Sequence, residues 1–219
     1  MPTALITSLI PQQNFESVRN AIGAILALEL ANQYALYTSA DPQPAFPYPN
    51  INKVWVERII AFDGPTELPA INVNIDFAEW MNQSIAKRDG CVTFNIDIET
   101  YSGASIPGLP GNQFAGYMMQ KIAGLVTAIL SNPVDIGPPL GFAPGFIGYV
   151  QVKKLMVPER GVTYQEDNLS IVRGRVQVEV KILEQNFGNS ANPVPLSSVM
   201  SKILMEDTTY GFLIKLATT

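Results

Sequence analysis

The stretch CVTFNIDIET, from Cys91 to Thr100, constrains the fold more than any other. Val92, Phe94, Ile96 and Ile98 point one way, and Thr93, Asn95, Asp97 and Glu99 point the other. Side chains alternate across a strand, so a strict period of two predicts a sheet with one packed face and one wetter face. A second stretch repeats the pattern: Val176, Val178, Val180 and Ile182 alternate with Gln177, Glu179 and Lys181. A chain holding two such strands must cover their apolar sides with something of its own.

Two helical stripes supply that cover. In NFESVRNAIGAILALELANQYALY, Phe15, Val18, Ile22, Ile25, Leu26 and Leu30 recur at helical spacing, which predicts a helix from about 14 to 36, with Asn14 as N-cap and Glu16 in the first turn. In Asn112–Pro133, Phe114, Met118, Ile122, Leu125 and Ile129 form a second stripe, capped by Asn112 and stopped by Pro133. Met118 and Met119 read as core filler.

The remaining segments read as strands at 52–62, about 70–76, 149–158 and 170–185, with KRDG (Lys87–Gly90) as a turn. Four prolines in Thr38–Asn50 mark a loop. Beyond residue 185 a loop is expected, then a short amphipathic helix over Ser197–Asp207 and a final strand over Tyr210–Thr219. The expected fold class is α+β: a single mostly antiparallel sheet with two long helices packed on one face, plus loop insertions and a C-terminal helix/strand extension. The domain reading is one unit over 1–185, with insertions near 38–50 and 132–148, and an extension over 186–219.

One loop stands out. GPPLGFAPGFIG (Gly137–Gly148) holds Leu140, Phe142, Phe146 and Ile147 and no charge. Its glycines and prolines disfavour a regular helix or central strand. An apolar, uncharged loop suits a surface that a neighbour buries, and these four residues are the candidate subunit-interface residues. Burial of about 300 Å² per loop would contribute on the order of 7 kcal/mol before ordering costs. The competing reading folds the loop back over its own sheet.

Chemistry is sparse. The 219 residues contain no histidine, which removes Ser-His-Asp and Cys-His arrangements and the commonest metal ligand. Cys91 is the single cysteine and reads as a small buried hydrophobe; no internal disulfide is available. Asp97 and Glu99, two apart on one strand face, could jointly hold a hard cation, or form a solvated face, or pair with Lys181 and arginines of a neighbouring strand. Glu206 and Asp207 read as a helix end without a role. No phosphate-binding glycine pattern occurs in the apolar loop. No catalytic, cofactor-binding or metal residue is assigned, and no cofactor is expected.

The net charge of −5 argues against a nucleic-acid-binding face, and Lys87-Arg88, Lys153-Lys154 and Arg173/Arg175 are too short to form a basic patch. An acidic wall facing DNA would still keep a channel from sticking to its cargo. Charged residues make up only 15% of the chain against 47% hydrophobic, so part of the surface is expected to be covered by a partner. MPTALITSLIPQQ lacks a basic n-region, and AIGAILAL (Ala21–Leu28) falls short of a membrane span. The expectation is a cytoplasmic or particle-assembled protein with no membrane partner.

ELPAINVNIDFAEW (Glu67–Trp80), GCVTFNIDIET (Gly90–Thr100) and GRVQVEVKILEQ (Gly174–Gln185), in this order around a long second helix, resemble the tail-terminator (tail-completion) proteins of long-tailed bacteriophages. The resemblance covers roughly residues 14 to 185. It implies a homo-oligomeric, hexameric ring that caps the tail tube and offers its other face to the neck or connector protein, with a sheath as a further partner in contractile tails. DNA would only pass through the lumen. The protein would belong to the virion's tail and neck, assembled in the host cytoplasm. Such proteins have no catalytic residues to carry over. The alternatives are a neck adaptor or head-completion protein, a tail-tube-like ring protein, a small metal-dependent enzyme built on Asp97 and Glu99, and a monomeric binding module.

Overall fold

The computed structural model describes residues 12–42, 46–51, 53–59, 62, 67–83, 87–102, 111–131, 147–156, 162–164 and 169–185, and the backbone course of 203–208 and 211–216. In chain order the elements are α1 (Asn14–Ala40), β1 (Val54–Val56), β2 (Ala70–Gln83), β3 (Lys87–Ser102), α2 (Gly111–Ser131), β4 (Ile147–Met156), β5 (Val162–Tyr164), β6 (Leu169–Gln185), β7 (Ile203–Thr208) and β8 (Gly211–Leu216).

All the strands join one mixed sheet in the order β4-β6-β3-β2-β1-β8-β7, with β5 alongside β6. Among the described strands only β1 and β2 run parallel; the other pairings are antiparallel. The class is therefore α+β, as the alternating strands and the two helical stripes predict. The alternation of β3 and β6 is realised in full. Val92, Phe94, Ile96 and Ile98 are fully buried, as are Val176, Val178, Val180 and Ile182. One core cluster joins them to Val18, Ile22, Leu26 and Leu30 of α1 and to Met119, Ile122 and Val126 of α2.

Several boundaries differ from expectation, each for a local reason. Gln13, not Asn14, is the N-cap of α1, and its backbone N–H donates to Glu16 Oε2 at 3.0 Å. Asn14 instead uses its side-chain amide to donate to the carbonyl of Leu183, tying the helix start to β6. The helix runs on to Ala40 and stops where Asp41 precedes Pro42, because a residue before proline avoids the helical region. The second helix begins one residue ahead of Asn112.

β1 is only three residues long. It ends at Glu57, whose φ of 54° is the left-handed region that a side chain with a Cβ rarely adopts. That conformation is held from outside: Glu57 Oε1 accepts a bond from the N–H of Ile75 at 2.9 Å and meets Arg19 at 3.4 Å. β2 runs past residue 76 to Gln83 and forms a long hairpin with β3, bulged between Ile75 and Phe77 and again between Trp80 and Asn82. Lys87–Gly90 is strand, not turn: Arg88, Asp89 and Gly90 pair with both β2 and β6, and Lys87 pairs with β6.

The expected helix over 197–207 is overturned at its end: Ile203–Thr208 forms β7 and hairpins with β8, which pairs with β1. Glu206 and Asp207 thus stand in an edge strand. Residues beyond 185 thus supply two strands, β7 and β8, to the common sheet. Gln113–Ser131 is, by length and composition, apolar enough to cross a membrane, with mean hydropathy 1.2, contrary to the expectation that no stretch comes close. Its buried residues face the core described above.

Candidate functional site: the polar face of the sheet

The face of β3 and β6 turned away from the core is built by the same alternation. Register places Glu99 opposite Arg173, Asp97 opposite Arg175, Asn95 opposite Gln177, Thr93 opposite Glu179 and Cys91 opposite Lys181. Opposite charges directly across an antiparallel pair attract, and here two of the five pairs are acid against arginine. Arg175 grips Asp97 through Nε and through Nη2, the latter at 3.0 Å. Arg173 Nε meets Glu99 Oε1 at 3.0 Å. Asn74 of β2 donates at 2.9 Å to Asp97 Oδ2, the oxygen that also accepts from Arg175 Nη2, and Gln177 Nε2 bridges Asp76 at 3.1 Å and Asn95 at 3.2 Å.

The ladder continues toward β4. Glu179 accepts from the Tyr149 hydroxyl at 2.7 Å and pairs with Lys153 at 2.9 Å. Tyr149 Oη also lies 3.3 Å from Cys91 Sγ. Lys181 pairs with Asp89 at 3.8 Å, not with Asp97 or Glu99. Cys91 is buried, as a small hydrophobe would be.

At one end of this face lies a cleft of about 510 Å³. Asn72, Asn74, Asp97, Glu99, Arg173 and Arg175 line its floor, and Arg58, Ile59, Phe62 and Met156 its walls. Arg58 is fixed from every side. Its backbone N–H donates to Asn72 Oδ1 at 3.0 Å, and its carbonyl accepts from Asn72 Nδ2 at 2.9 Å. Its guanidinium clasps Glu67 at 3.0 and 2.7 Å and stacks over the rings of Trp55 and Phe62 at 4.3 and 4.7 Å. Glu57 still donates its backbone N–H to the carbonyl of Val73 in β2 at 2.9 Å, and beyond it the amide of Asn72 satisfies both backbone groups of Arg58.

The electrostatics follow from burial and pairing. Burial pushes the Glu99 carboxyl above the usual carboxylate value, against the opposing pull of Arg173. The hydrogen bonds from Lys153 and Tyr149 hold Glu179 below it. The Tyr149 hydroxyl is raised by its bonds to Cys91 and Glu179, and the Arg175 guanidinium by its bond to Asp97.

Of the three readings of Asp97 and Glu99, the pairing with arginines of a neighbouring strand is the arrangement found. Each carboxylate already has a guanidinium where a cation would bind. Among the described residues no group of three or more acidic, cysteine or histidine side chains gathers as a metal site would need.

Leu140, Phe142 and Phe146 lie outside the described residues. Ile147 opens β4, is buried, and joins the chain's own core. Sequence reasoning missed two other apolar surfaces. Tyr37 stacks on Tyr48 at 3.7 Å between ring centroids, Phe46 meets Tyr117 at 5.7 Å, and Lys121 sits over Tyr37 and Tyr48 at 5.5 and 5.6 Å. Burial and the neighbouring Tyr37 raise the Tyr48 hydroxyl to about 12. Tyr37, Phe46 and Tyr117 of this cluster are nevertheless exposed. On the long hairpin, Phe77 and Met81 are also exposed, at 52% and 60%. The phrase AFPYP (Ala45–Pro49) was the available signal for the first surface, since aromatics between prolines rarely serve only as a linker.

No family model matches the chain, and no curated protein matches it.

Proposed function

We propose that the protein is a structural virion component, a tail terminator whose copies form a ring that caps the tail tube and faces the neck. The observation that carries the reading is the grouping of exposed large apolar side chains. An aromatic cluster stands where the end of α1, the proline-rich segment and the start of α2 meet, and Phe77 and Met81 stand on the β2–β3 hairpin. Contiguous apolar surface rimmed by polar groups marks protein–protein contact, and aromatics dominate such contacts because they bury a large rigid area. The element order within the resembling stretch, from α1 through the paired strands and α2 to β6, also fits the reading.

In the finer arrangement proposed, both helices lie over one face of the sheet, and the arginine–carboxylate ladder lines the other. A ring wall of that kind carries compensated charge toward its surroundings. Leu140, Phe142 and Phe146 remain proposed anchors between subunits or against an adjoining ring. The hexamer, the tube and neck partners, and the passage of DNA through the lumen belong to this proposal.

The test is electron microscopy of purified protein mixed with tail tubes, alongside mass measurement in solution. Rings seated on tube ends support the reading. Uncapped tubes together with binding to isolated connectors would transfer the protein to the neck-adaptor role, and binding to neither would end the proposal.

A further inference from the structure

The cleft on the polar face holds more hydrogen-bond donors than the sheet uses. Arg175 gives Asp97 its Nε and Nη2, but its Nη1 donates to no described residue. Arg173 meets Glu99 through Nε, and neither of its Nη groups donates to a described residue. The two arginines are two apart on β6, so they stand side by side on one face. Their side chains are 48% and 38% exposed where they line the cleft. Asp97, by contrast, is already taken up by Arg175 and Asn74. The surplus therefore calls for an acceptor from outside.

Charge and shape narrow the class. Three guanidiniums and two carboxylates line the cleft, in a chain whose net charge is −5. Glu67, outside the lining, offsets Arg58. A singly charged anion is thus accommodated better than a phosphate dianion, which Asp97 and Glu99 would repel more strongly. The walls are apolar: Ile59, Phe62 and Met156. Arg58 is clasped by Glu67 and stacked on Phe62, so that wall is held in place before any ligand arrives. The volume of about 510 Å³ suits a small organic group.

We propose that this cleft binds a carboxylate carried on an apolar body. Arg173 and Arg175 hold the carboxylate through their outward Nη groups, whose planar forks match its two oxygens. Ile59, Phe62 and Met156 cover the body. A free organic acid and a polypeptide C-terminus ending in an apolar residue share this chemistry. The inference goes beyond the assembly reading and requires neither ring nor tube.

The test is isothermal titration calorimetry on the full chain. The probes are phenylacetate, its neutral amide, and a short peptide ending in Phe with a free or an amidated C-terminus. At least one carboxylate form should bind saturably and about tenfold more tightly than its amide. Binding of phenylacetate identifies a small acid as sufficient, and binding of the peptide alone assigns a chain terminus. Arg173→Gln should weaken binding about tenfold. Ile59 is 91% exposed, so Ile59→Glu and Ile59→Lys leave folding undisturbed and should respectively weaken and tighten binding. Lys153→Gln, on the same face but outside the lining, should change nothing. The site is overturned if neither carboxylate form binds or if the amides bind equally well. Equal affinities for the two Ile59 variants, or a loss at Lys153→Gln as large as at Arg173→Gln, would overturn it too.

Discussion

Gly174→Ala is a one-carbon substitution whose cost can be worked from the geometry. Gly174 stands in β6 opposite Ile98, where α2 crosses the sheet. A Cβ built there would lie 2.4 Å from Met119 Sδ and 3.1 Å from its Cγ, about 1 Å inside ordinary contact distance. A methionine can usually swing aside, but Met119 is only 1% exposed and packed in the core cluster, so it has no solvent to swing into. Overpacking of this kind costs ~1–3 kcal/mol, or about 2–12 °C in Tm for a chain of this size. Met119→Ala alone should cost ~2–5 kcal/mol by leaving a cavity. In the double variant the new methyl group enters the space the thioether left, so its total cost should fall short of the sum of the singles by ~1–3 kcal/mol. The assay is denaturant unfolding followed by circular dichroism on all four members of the cycle. Additivity within about 0.5 kcal/mol would show that the helix and strand do not press on each other there. A stabilising Gly174→Ala, of the sort that merely stiffens the unfolded chain, would refute the reasoning outright.

Gly90→Ala should be at least as damaging, because its Cβ would lie 2.2 Å from the carbonyl oxygen of Glu79, a backbone atom that cannot rotate away; a lowered midpoint in thermal unfolding checks it. Thr100→Val keeps the shape but removes a buried hydroxyl that donates to the carbonyl of Ala115 at 2.7 Å, and should cost ~1–2 kcal/mol in denaturant unfolding. Glu99→Gln should gain on the wild type as pH rises above the ordinary carboxylate value: burial raises the native carboxyl, so the native state holds its proton longer than the unfolded chain and wild-type stability falls as that proton is lost. Glu179→Gln should show the opposite sign, because the native Glu179 carboxyl is depressed and its stabilisation, present above the ordinary carboxylate value, is lost as pH falls; paired pH-stability curves separate the two.

The strongly periodic segments were legible because one face of each is packed and the chain has no other way to satisfy the pattern. What the sequence hid has physical causes. β2 continues to Gln83, but the bulge between Ile75 and Phe77 inserts a residue and shifts the alternation, so Phe77 lies on the polar face beyond a broken period. KRDG carries turn residues, yet pairing across to both β2 and β6 overrides local preference. Ser197–Asp207 fits a helical stripe over its short length, and Ile203–Thr208 takes its state from pairing with β8, a tertiary choice no local pattern reports. The pairing of Asp97 with Arg175 and Glu99 with Arg173 needed the register of β3 against β6. The sequence offered those arginines only as one of three options.

Gly90 and Gly174 stand at the heads of two of the stretches that carry the family resemblance. The structure accounts for each by a local contact: a strand pressed against Glu79 and Trp80 at a bulge, and a helix lying close over β6. Any sheet of this register with a helix at that distance would select glycine at both positions, whatever the sheet is used for. The glycine-headed phrases therefore report packing. The features that packing does not demand are the exposed aromatic cluster at Tyr37 and Tyr117 and the exposed Phe77 and Met81. Leaving such groups in water costs solubility and invites association, and nothing in the core requires them. That asymmetry, between a core explained by its own contacts and a surface that is not, is what the proposed assembly role would account for.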